Sequence, residues 1–168
     1  LVPDAPKAAP PKAEPPTTTN PKEASKDRPF ANSLGMKFVP VPGIDALFGI
    51  HETRYRDYAA YAEKNPGTNA AWKNQSQDGY TITDRNEDHP VWRVNWEDAK
   101  AYCAWISKKE GHTYRLPTDA EWSIAVGLGG KEKRSPGDTP ERLNLKTMGE
   151  YPWGTEWPPP PGVGNFND

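Results

Sequence analysis

The sequence predicts a mixed α+β domain with short strands, two or three helices and much irregular loop. The strongest observation is residues 88–122, DHPVWRVNWEDAKAYCAWISKKEGHTYRLPTDAEW, where apolar side chains at helical spacing alternate with capping and stop residues. The second is content. With 20 prolines and 14 glycines in 168 residues, and a mean hydropathy of -0.94, much of the chain must be loop or linker. Seven tryptophans and seven tyrosines act the other way, because aromatic side chains carry large burial energies into a small core.

In chain order, residues 1–29 hold eight prolines and no aromatic residue. Such a stretch cannot bury enough apolar surface to offset its conformational entropy. It is expected to be a proline-, alanine- and lysine-rich disordered linker of polyproline-II character. A PxxP ligand for a recognition domain is the functional alternative. Folding is expected to begin near Phe30 and to run through residues 30–168. Met36, Phe38, Val39 and Val41 read as a strand that Pro40 and Pro42 confine to an edge or a strand end. Leu47, Phe48, Gly49 and Ile50 read as a second strand, with Gly43 and Asp45 in the turn between them. Thr53 is placed to cap a helix with the stripe Tyr55, Tyr58, Ala59 and Ala62, which Asn65-Pro66-Gly67 ends. Residues 70–87 show no sustained period and read as a surface loop carrying Trp72 and Tyr80.

Past Pro90, the β-prone residues Val91, Trp92, Val94 and Trp96 predict a strand. Asn95 is a natural N-cap for the helix that follows, whose stripe is Ala99, Tyr102, Cys103 and Ile106. Gly111 stops that helix, since glycine takes the left-handed conformation cheaply. Residues 114–117 predict a short buried strand. Thr118 and Glu121 then form a capping box, each covering an amide of the other's turn. Residues 127–150 are glycine-rich and charged, again loop.

The net charge of -2 gives no basic footprint for nucleic acid, and no apolar run approaches a membrane span. Cys103 is the only cysteine, so neither an internal disulfide nor a paired-thiolate metal site can form from these residues. On the apolar stripe it is expected to be a small buried side chain. His51, His89 and His112 match no metal spacing. Glu97 and Asp98 lie in a first helical turn, where acids complement the helix dipole. No P-loop, dinucleotide fingerprint or GxSxG context is present. Arg115, in the expected buried strand, calls for a carboxylate or carbonyl partner. Its readings are a structural hydrogen-bond hub or a ligand-binding group.

HPVWRVNWEDAKAYCAW followed by RLPTDAEW resembles the signature of the sulfatase-modifying-factor family, the formylglycine-generating-enzyme-type domain. NSLGMKFVPVPG at residues 32–43 is similar to its opening strand, and YPWGTEWPPPPGVGNFND at residues 151–168 to its middle. The resemblance implies a C-type-lectin-like variant fold, incomplete at the C-terminus because only the N-terminal part is covered. It also implies a calcium ion held by the asparagine after PWG and the next carbonyl, by position Asn165 and Phe166, as a partial site. The archetypal activity it implies is conversion of a sulfatase cysteine to formylglycine with copper held by two cysteines of the C-terminal half. Copper therefore requires a cysteine pair from outside these residues, and the chain alone is expected to be inactive. The family also occurs after proline-rich linkers in some bacterial serine/threonine kinases, and analogy with it favours the extracytoplasmic or cell-surface side.

Three functions are compatible with this reading. One is a non-catalytic binding or sensor module tethered to a signalling protein such as a kinase, with a peptide, protein or glycan ligand. A second is part of a formylglycine-generating oxidase, and a third is a structural cell-surface interaction protein. Two close cysteines downstream would favour the oxidase. Asn95, Arg115, Thr118 and Glu121 are the residues expected to hold the fold.

Overall fold

In the computed structural model the described residues are 15–74, 76–77, 80–81, 87–143, 149, 151, 153–161 and 163. The architecture is α+β. Strands β1 (Phe30–Ala31), β2 (Lys37–Pro40) and β3 (Leu47–Gly49) form an antiparallel sheet in the order β1-β2-β3. Helix α1 (Tyr55–Lys64) follows, then the two-residue strands β4 (Ser76–Gln77) and β5 (Tyr80–Thr81) of a separate hairpin. Helices α2 (Trp96–Glu110), α3 (Asp119–Ala125) and α4 (Pro140–Leu143) complete the order. Among the described residues there are thus four helices rather than two or three, α4 being a single turn within the expected loop 127–150.

The register explains how a proline sits in a central strand. Phe38 pairs with Gly49 and Val39 with Phe48, while Phe30 pairs with Phe38. The Ile50 amide donates to the Lys37 carbonyl at 3.0 Å, so Lys37 and Val39 direct their backbone groups to β3. Pro40, one residue on, turns its nitrogen to the β1 side, beyond the end of that strand. No ladder donor is lost. Of the two expected placements, an edge or a strand end, the second holds: β2 is central, and Pro40 is its last residue.

The expected linker 1–29 also differs over its later part. The Thr18 amide donates to the Pro29 carbonyl and the Thr18 carbonyl accepts from Ala31, both at 2.9 Å, and Thr18 is buried. The segment lies along the outer edge of β1, followed by a 3-10 turn at Pro21–Glu23 that Asn20 caps. Backbone pairing, not apolar burial, orders these residues.

The core is aromatic. Tyr58 and Tyr61 of α1, Tyr102 and Ile106 of α2, and Trp72 are buried together. Tyr58 lies 5.3 to 5.8 Å from the rings of Tyr61, Trp72 and Tyr102. Such pairs add about 0.5–1.5 kcal/mol each beyond their burial. Trp72 corrects the surface-loop reading of residues 70–87: it rides on a 3-10 turn, Ala71–Lys73, that drops the ring onto α1. Two strands expected from β-propensity are absent. Residues 91–95 are irregular, with Arg93 at φ 58°, and residues 114–117 belong to no strand. Propensity for valine and tryptophan reflects fit to a half-buried surface, and here an irregular segment supplies it.

Helix α2 begins and ends on local chemistry. The Asn95 side chain accepts from the Asp98 amide at 2.9 Å, and the Asp98 carboxylate accepts from the Asn95 amide at 3.0 Å. Gly111 closes it at φ 71°. In α3, Thr118 accepts from the Glu121 amide at 3.2 Å and Glu121 accepts from the Thr118 amide at 2.8 Å. Helix α1 departs from expectation: its cap position is Arg54, not Thr53. Thr53 is committed elsewhere, its carbonyl accepting from the Val91 amide at 2.9 Å.

Candidate functional site

An open cavity of about 700 Å3 lies beside the sheet. Helix α2 presents Ala99, Tyr102, Cys103 and Ile106 to it, the face that the helical stripe forecast. The sheet contributes Phe30 and Phe38, together with the whole run from Asp45 to Gly49. Tyr114, Leu116 and Trp122 close the third side. Trp122, in the middle of α3, is 56% exposed.

Polar groups are interspersed around this space, Asp45, His51, Glu52, His112 and Arg115 among them. Tyr102 donates its hydroxyl to the Met36 sulfur at 3.1 Å, and burial raises its pKa well above the ordinary phenol value. Burial pushes Tyr58 up to about 12, with the Asp98 charge adding to it. Cys103 is half-buried rather than fully buried, and burial raises its thiol pKa, so the thiolate is disfavoured. The His112 ring meets Phe30 edge-on at 6.0 Å. The arrangement is suited to holding apolar groups.

Arg115 lines the same cavity, but its setting corrects the buried-strand expectation: it is exposed, in irregular backbone. Its guanidinium does have the carboxylate partner, donating to both Glu121 oxygens at 2.6 Å. Those bonds, then the Thr118 amide, hold the Glu121 carboxyl at about 2. The structure thus brings Arg115, Thr118 and Glu121 into one cluster that fixes the start of α3. Asn95 does the corresponding work for α2. Asn165 and Phe166 lie outside the described residues.

The Arg54 network is absent from the sequence reading. Arg54 donates through Nε to Asp57 at 2.8 Å and through a terminal nitrogen at 3.0 Å, and its backbone amide bonds the same carboxylate at 3.1 Å. Asp88 joins it to Arg56, at 3.2 and 3.0 Å. An acid three residues after the cap position was the available signal. Arginine at the cap obscures it.

Among the described residues no three His, Cys, Asp or Glu side chains gather in a way that could hold a metal ion. A two-thiolate copper site does not fit these residues: Cys103 is the only cysteine of the given sequence, and burial raises its thiol pKa.

A profile of the sulfatase-modifying factor enzyme 1-like domain matches residues 38–163. The chain belongs to this family. Among curated relatives, the sulfatase-modifying factor domain seen here is 39% identical over 90 residues to the formylglycine-generating enzyme of Thermomonospora curvata, covering 54% of this chain and 22% of that protein. It is 38% identical over 92 residues to the inactive C-alpha-formylglycine-generating enzyme 2 of Bos taurus, covering 53% of this chain and 28% of the relative. Over 48 residues it is 46% identical to the serine/threonine-protein kinase pkn1 of Chlamydia pneumoniae, covering 29% of this chain and 7% of the kinase. The chain therefore spans a quarter or so of the two longer-matched proteins, and much less of the kinase.

Proposed function

We propose that this chain is the N-terminal part of a non-catalytic binding module with the family's C-type-lectin-like variant fold, joined by its proline-rich start to a signalling protein such as a kinase. The observation that carries the reading is the cavity. Aromatic and aliphatic side chains form much of its lining, and burial raises the pKa of its one thiol. Such a surface is suited to holding apolar groups. The likeness to a kinase named pkn1 supports the attachment. Calcium, with Asn165 and the Phe166 carbonyl among its oxygens, belongs to the same proposal, since a hard cation wants six or more such ligands. The second reading, part of an oxidase that makes formylglycine, is favoured by the likeness to a formylglycine-generating enzyme over 90 residues. The test uses the intact protein with copper, oxygen, a reductant and a cysteine-containing sulfatase peptide, followed by mass spectrometry. No aldehyde is expected. Aldehyde formation would overturn the module and establish the oxidase.

A further inference from the structure

The segment from Thr18 to Arg28 is hydrogen-bonded to the rest of the domain through one residue. The Thr18 amide donates to the Pro29 carbonyl, and the Thr18 carbonyl accepts from the Ala31 amide. The segment's other hydrogen bonds among the described residues run within it. Asn20 accepts from the Lys22 amide at 3.1 Å, Ser25 and Arg28 exchange backbone bonds at 3.0 and 3.3 Å, and the Arg28 guanidinium meets Glu23 at 3.5 Å. Those bonds travel with the segment and survive its departure from the sheet. Of residues 18–28 only Thr18 is buried, so departure exposes little apolar surface. Such a unit opens at far lower cost than the aromatic core.

The contact bears on Phe30. Thr18 pairs with Phe30, and its two backbone bonds go to the residues on either side of it. Phe30 is buried, and its ring lies 6.0 Å from those of Phe38 and His112, edge-on to the second. Strand β1 has only two residues, both paired with β2. A strand this short is held by the neighbours beside it. Strand β2 supplies one of them and Thr18 the other.

We propose that residues 18–28 form a strap that opens and closes as a unit on an intact domain, and that its closure seats Phe30 against His112. His112 follows the Gly111 stop, so the position of the linker is coupled to packing at the end of α2. The coupling is reciprocal: drawing the preceding chain off the sheet loosens Phe30, and displacing Phe30 weakens the hold on the linker. The device is the same whether the whole protein binds a ligand or oxidises a cysteine.

The test is amide hydrogen exchange of the intact protein, followed by NMR at increasing urea. The Thr18 and Ala31 amides are protected by the two halves of one contact and should share one opening. They should be at least about tenfold less protected than the Ile106 amide inside α2, and insensitive to low urea because little surface is exposed. Thr18→Pro removes the donor to Pro29. It should cut Ala31 protection by about tenfold while Ile106 keeps its own. The His112 ring-proton resonances should shift in this variant as the edge-on Phe30 ring moves. Exchange of Thr18 and Ala31 together with Ile106 overturns the inference, because the strap would then open only when the domain unfolds. So does the lack of any protection at both amides, which would mean the strap does not close. A Thr18→Pro protein that is unfolded, or one whose His112 resonances stay in place, overturns it as well.

Discussion

Deleting the Asp57 carboxylate should be among the most damaging single changes in the chain. The side chain is 2% exposed and accepts three hydrogen bonds from Arg54, whose own side chain is 11% exposed. Asp57→Ala leaves that guanidinium with Asp88 alone, which is 58% exposed and contributes little. Stranding one partner of a buried pair costs about 3–5 kcal/mol, a large part of the roughly 5–15 kcal/mol that holds a domain of this size. Replacing both residues with apolar ones removes the stranded charge. The pair Arg54→Met with Asp57→Leu should therefore be far less destabilised than the sum of its single changes. Urea unfolding followed by tryptophan fluorescence measures both quantities, since Trp72 packs on Tyr58 in the core. An Asp57→Ala loss under about 1 kcal/mol, or additivity in the cycle, would refute the argument that this pair is buried and coupled.

Thr118→Ala should cost about 1 kcal/mol through the lost cap, whereas Ala99→Asp, on the cavity face of α2, should cost several times more if that face is apolar in solution; matching denaturation midpoints would contradict the burial. Cys103 should alkylate with iodoacetamide more slowly than free glutathione at neutral pH and respond as pH rises, because burial disfavours its thiolate. A rate equal to glutathione's would contradict that setting. The Glu121 carboxyl is lowered in the fold, so its contribution is complete above the ordinary value of 4.5 and is lost as pH falls towards about 2. Arg115→Ala should shrink that acid-side loss in a series of unfolding midpoints, and an unchanged acid profile would exclude the Arg115 partnership.

What could be read beforehand follows from the range of the interactions involved. Caps at Asn95 and Thr118 and the stop at Gly111 depend on neighbours three or four residues away, so their chemistry is written in adjacent letters. The cavity face of α2 follows from spacing alone. Trp72 was different, because its burial depends on Tyr55 and Tyr58 meeting a 3-10 turn that leaves no periodic trace. Thr53 was the better cap by type, yet its carbonyl serves Val91, a contact across 38 positions that no local pattern reports. The partner of Arg115 was expected in kind, a carboxylate, while its exposure was not, because 114–117 gained no neighbouring strand.

Covering one margin of a sheet also decides how copies of it can assemble. A sheet with two free margins can stack margin to margin without limit, the geometry of a fibre. Here the Thr18 segment occupies the β1 side. Removing residues up to Thr18 would uncover that side and leave the Pro29 carbonyl and the Ala31 amide as a template for another strand.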